Sequence, residues 1–146
     1  MREVDISLQK AGFFEERAID IEAILEMYKR NGYNFYDLQV DLIKKYGDLE
    51  IHYKHPIWHE DMVVRLDPIK AQEALTMDVV DGYNEFLGDE LLIIGDIEKE
   101  NITLFMSKSG VFYGAYDDCI IKWGKDLKNM LSDLFSGKRG ELQIMD

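Results

Sequence analysis

The spacing of apolar residues changes character at Leu49, and that change restricts the fold more than any other feature of the chain. Upstream, Ile21, Ile24, Leu25 and Tyr28 fall at i, i+3, i+4 and i+7, and Phe35, Leu38, Leu42 and Tyr46 make a second helical stripe. Downstream, residues 49–53, 62–66, 91–97, 102–107 and 111–116 read as alternating or short continuous apolar runs, the texture of strands. Helices first and strands later argue against a parallel α/β sheet, which would alternate the two throughout. The expectation is one α+β domain, an antiparallel or mixed sheet of about five or six strands with N-terminal, central and C-terminal helices around it.

Punctuating residues refine that outline. A short helix over 3–11 ends at Gly12, and Asp20 is placed to cap the second helix, which leaves through Asn31-Gly32. The third stops at Gly47, just after Lys44 and Lys45, whose charges suit a helix C-terminus. Pro68 opens a central helix whose rhythm runs through Ala71, Ala74, Leu75, Val79, Val80, Tyr83, Phe86 and Leu87 to Gly88. Lys108-Ser109-Gly110 fits a hairpin loop between neighbouring antiparallel strands. A last helix is expected from Trp123 through Leu127, Met130, Leu131 and Leu134 to Gly137. The domain would thus span 1–137, leaving 138–146 as a flexible tail.

Composition bounds the function classes. With 146 residues, 47% of them hydrophobic, the chain is long enough for one core and too short for two comfortable domains. A net charge of −12, from 17 basic and 29 acidic residues, disfavours a phosphate backbone as ligand, because such ligands reward clustered Lys and Arg. No apolar run reaches the roughly 18 to 20 residues of a bilayer span, and the first residues lack a signal-peptide layout, so a cytoplasmic protein without membrane contact is expected. The single Cys119 offers no internal disulfide and no thiolate zinc site, and reads as a small core residue.

Little in the chain carries catalysis. His52, His55, His59, Glu60 and Asp61 lie within ten residues and suggest a metal, yet in a strand His52 and His55 face opposite sides and Pro56 interrupts the run before His59. No metal is expected. A Gly-x-Ser-x-Gly elbow, a P-loop and a dinucleotide fingerprint are all missing from the sequence, which leaves no expected cofactor and no enzyme. The outstanding feature is acidic: residues 51–100 hold 12 acids against 4 bases. Asp78, Asp81, Glu85, Asp89, Glu90, Asp96 and Glu98 are interleaved with Tyr83 on the central helix, and Tyr113, Tyr116, Asp117 and Asp118 follow on the hairpin. A solvated face that only aids solubility would look similar. Acids among aromatics also suit a protein interface that steers a basic partner and anchors it with rings.

The order of marks along the chain resembles the SUKH superfamily of bacterial immunity proteins. The resemblance runs through Ala11-Gly12-Phe13-Phe14, Arg17 and Asp20-Ile21, with Phe13 where a tryptophan is expected, then Asn31-Gly32-Tyr33 and Lys45-Tyr46-Gly47 before Leu49 and Ile51. It continues through residues 91–95, Gly110-Val111-Phe112-Tyr113 and Trp123-Gly124. The resemblance implies a helix-flanked α+β sheet and a cytoplasmic protein that neutralises a cognate secreted toxin, frequently a nuclease. It supplies no catalytic residues. The twelve acidic and tyrosine positions are the expected toxin-binding residues, with monomer the favoured state. The alternatives are an intracellular adaptor of the same fold and a metal-dependent enzyme built on His52, His55 and His59.

Overall fold

The N-terminal helices are locked together by the residues that first suggested the family. In a computed structural model, which describes residues 2–138 and 140–145, α1 covers Arg2–Lys10, α2 Glu22–Asn31 and α3 Asp37–Tyr46. Gly12 turns the chain at φ +106, which brings the Phe13 ring flat against Tyr46 at 4.9 Å. The Arg17 guanidinium donates to the carbonyls of Lys45 and Gly47, both at 2.7 Å, satisfying acceptors that the end of α3 leaves open. Asp20 does not reach α2 as an N-cap in the usual register; its carboxylate accepts from Glu22 N–H at 3.0 Å, just ahead of the helix.

Among the described residues seven strands follow: β1 Glu50–Lys54, β2 Asp61–Arg65, β3 Leu91–Ile97, β4 Ile102–Ser107, β5 Phe112–Tyr116, β6 Cys119–Gly124 and β7 Glu141–Ile144. They form one sheet in the order of the chain, every neighbouring pair antiparallel. Residues 107–111 close the expected hairpin, with Ser107 N–H bonded to the Val111 carbonyl at 2.8 Å. The register slips once in β3, between Ile93 and Gly95. A Cβ at Gly95 would collide with the Arg65 carbonyl, so the bulge needs glycine there. The fully buried Tyr28 of α2 donates to the Ile93 carbonyl at 2.6 Å, fastening that helix to the irregular strand.

Three further expectations are corrected. Residues 119–124 form β6 and not the start of the last helix: Gly124 at φ +115 breaks the chain, and α6 spans Leu127–Ser136 behind Asp126, whose carboxylate caps Lys128 N–H at 2.9 Å. Trp123 had matched the helical stripe by spacing alone. Residues 141–144 form the edge strand β7 and not a loose tail, with Leu142 opposite Ile121 and Ile144 opposite Cys119. The central helix is two helices, α4 Pro68–Gln72 and α5 Met77–Leu87, because Thr76 adopts an extended backbone at ψ 156 between them.

Both faces of the sheet are covered, which is why β3 is buried along nearly its whole length. Tyr53 of β1 stacks on Phe135 of α6 at 4.9 Å on one face, while Tyr83 of α5 meets Phe105 of β4 edge-on at 6.1 Å on the other.

Candidate protein-binding surface

Helix α5 owes its position to Val80 and Tyr83, both buried, and so presents the opposite side to solvent. Asp78, Asp81 and Glu85 lie on that outer side, spaced at i, i+3 and i+7, and all are exposed. None of the three forms an ion pair among the described residues. The β5–β6 turn adds Asp117 and Asp118, both exposed, Asp117 in the left-handed region at φ 50. Helix and turn are tied directly: the Tyr83 hydroxyl donates to the Asp117 carbonyl at 2.7 Å. Burial raises the Tyr83 pKa, and the nearby charges of Asp117 and Asp118 raise it further.

The remaining expected carboxylates do internal work. Asp89 accepts from the Ser109 hydroxyl at 2.6 Å and from Glu90 N–H at 2.9 Å. Its partial burial pushes the pKa up, but those hydrogen bonds outweigh burial and hold it below 3.8. Glu90 accepts from Asn34 at 3.2 Å and from the Tyr36 hydroxyl at 3.1 Å. Asp96 and Glu98 are both paired with Arg65, at 3.2 and 3.3 Å. These four carboxylates brace loops and strands of their own chain and are not gathered with the α5 stripe.

Two of the three expected tyrosine anchors are closed off. Tyr83 is 3% and Tyr113 5% exposed, since Tyr113 stands opposite Phe105 in the strand register and shares its covered face. Tyr116 keeps 37% of its surface open and remains the one expected ring at the exterior. The sequence pattern could not separate these cases, because all three tyrosines lie in amphipathic segments and only the placement of α5 decides which rings are covered.

On the other face, the structure shows a surface that periodicity did not reveal. A cavity of about 420 Å³ opens between the β1–β2 connection, β6, β7 and the end of α6. Ile102, Ile121, Trp123 and Leu134 line it, with Tyr116 and Leu142 at its border. Above it Ile57 and Trp58 stand 70% and 66% exposed. His55 fixes their loop: its Nδ1 accepts from the N–H groups of Ile57 and Trp58 at 3.1 and 3.2 Å, its Nε2 lies 3.5 Å from Glu100, and its ring stacks on Trp58 at 4.1 Å. His52 projects outward from β1 and His59 is exposed at φ 57. Among the described residues no three His, Cys, Asp or Glu side chains are grouped to hold a metal. No helix among them is long and apolar enough to cross a membrane.

The molecule therefore offers exposed carboxylates on α5 and the adjoining turn, and an apolar cavity beside an exposed tryptophan. Both are features of protein recognition. Comparison with curated proteins and with solved structures gives no match. The SUKH-3 immunity protein family matches residues 1–137, which takes in the N-terminal clamp, β1 to β6 and α6. By that match over nearly its full length, the chain belongs to the SUKH-3 immunity protein family.

Proposed function

We propose that this protein binds and neutralises a basic toxin domain, a nuclease, by laying the acidic surface of α5 and the β5–β6 turn over the toxin's active-site cleft. The supporting observation is five exposed carboxylates on α5 and the turn bonded to it, Asp78, Asp81, Glu85, Asp117 and Asp118, none in an ion pair among the described residues. Carboxylates inside a fold are usually matched with cations, as Asp96 is with Arg65. Unmatched carboxylates on a helix held rigidly by Tyr83 leave a negative field that speeds the approach of a positive cleft and replaces the phosphates that cleft is shaped to hold.

Tyr116 borders the cavity on the other face of the sheet and lies outside this surface. Asp89, Glu90, Asp96 and Glu98 keep α5 and the strands in place and contribute to the field only at longer range. The protein acts by occlusion in this reading and needs neither a cofactor nor chemistry of its own.

The test is co-expression with the toxin encoded beside this gene. Cell survival and a complex that co-elutes on a sizing column are the expected result. Undiminished killing with no complex would overturn the proposal.

A further inference from the structure

Helix α5 holds a glycine that its own fold does not require. Gly82 lies inside the helix, is not among the glycines at positive φ, and a Cβ added there would meet the Met145 Cε at 4.0 Å, an ordinary contact. Folding alone would favour alanine at such a position. Gly82 sits between Val79 and Phe86 at i, i+3 and i+7, and these two apolar side chains are 40% and 43% exposed. Together they make an apolar stripe about 10 Å long with a gap at its centre. Around the helix the stripe lies between Asp78, Asp81 and Glu85 on one flank and Tyr83 on the other. The Tyr83 hydroxyl donates to the Asp117 carbonyl, and Met145 N–H donates to the Asp118 carbonyl at 2.8 Å, so the acidic turn lies toward the second flank.

The charges on both flanks select the partner. A purely apolar surface laid on the stripe would bury the carboxylates unmatched. A second copy of this chain, at net −12, would set acids against acids. An apolar side chain surrounded by Lys or Arg matches the stripe and its flanks together. We propose that a basic partner places one apolar side chain over Gly82, between Val79 and Phe86, while its neighbouring Lys and Arg residues meet the carboxylates on either side. Phe86 is then the aromatic anchor of the complex. This inference rests on the toxin-neutralising reading and divides the work within that surface: the carboxylates govern approach, and the stripe governs how long the partner stays.

Surface plasmon resonance of the full-length protein with the purified toxin domain encoded beside this gene, together with melting curves, is the experiment. Gly82→Ala is expected to raise the melting temperature by about 3 °C, since alanine is the better helix former. The same methyl group fills the gap, so dissociation is expected to speed up about tenfold. Phe86→Ala, at an exposed position, is expected to speed dissociation about 30-fold with association nearly unchanged. A Gly82→Ala protein that is more stable and dissociates like wild type overturns the inference. So does a wild-type dissociation rate for Phe86→Ala. In either case salt-dependent association would leave the toxin-neutralising reading standing, whereas a wild type that forms no complex removes both. A dimer of the chain alone on a sizing column that Phe86→Ala abolishes assigns the stripe to a second copy, and overturns the inference equally.

Discussion

The Tyr83 hydroxyl donates to the Asp117 carbonyl at 2.7 Å, joining the outward acidic helix to the acidic turn across 34 residues of chain. Tyr83→Phe keeps the ring against Phe105 and removes only this bond. It is expected to lower stability by about 1 kcal/mol. Toxin association should slow modestly as the turn loosens. Chemical denaturation and association kinetics measure the two effects, and an unchanged midpoint would contradict the role given to the bond.

His55 positions the Trp58 loop. His55→Ala deprives the N–H groups of Ile57 and Trp58 of their acceptor and removes the stacked ring. The Trp58 indole is expected to gain fast motion, read as a reduced heteronuclear NOE, while global stability falls by about 1 to 2 kcal/mol. An indole as rigid as in the wild type would show that the loop is held by something else.

Asp89 makes stability depend on pH in a defined direction. Its folded pKa is held below the ordinary 3.8, so its contribution is complete above that value and is lost as the pH falls through the folded value. Asp89→Asn should therefore cost about 1 kcal/mol at neutral pH, with allowance for its partial exposure. The difference from wild type should vanish in acid. Denaturation at several pH values checks this, and a constant difference would contradict it.

Gly114 leaves room for the Trp123 ring to pack against β5. A methyl group there would lie 2.6 Å from Cη2 of Trp123 and 2.9 Å from Cγ2 of Ile102. Gly114→Ala is expected to destabilise the protein by about 1 to 3 kcal/mol, through displacement of the Trp123 ring. A melting curve identical to wild type would mean that the indole moves freely aside.

The residues show why much of the fold was legible. Ile24 and Tyr28 keep strict helical spacing, and 91–97 and 102–107 are strands whose apolar content leaves no other assignment. Glycines 12, 32, 88 and 137 all adopt positive φ at the ends where they were expected to act. What was hidden depended on tertiary placement. Strand β7 buries almost nothing, and the alternation in Glu141-Leu142-Gln143-Ile144 spans only 4 residues, too short a run to tell from a loose segment without its pairing with β6. Tyr83 and Tyr113 read as surface rings until α5 was seen to lie over Phe105. Asp96 looked like part of an acidic run, and only the β2–β3 register reveals Arg65 beside it. The cavity under Trp58 draws on segments from residue 55 to residue 142, a separation no local pattern spans.

The central claim is that the α5 carboxylates and the β5–β6 turn steer and hold a basic toxin. Its most direct test is the stopped-flow association rate with the purified toxin, against ionic strength, for wild type and for Asp81→Lys combined with Asp117→Lys and Asp118→Lys. The account predicts a steep fall of the wild-type rate with salt, a variant about tenfold or more slower at low salt, and a nearly unchanged dissociation rate. Equal rates for the two proteins at low salt, or a wild-type rate insensitive to salt, would contradict it.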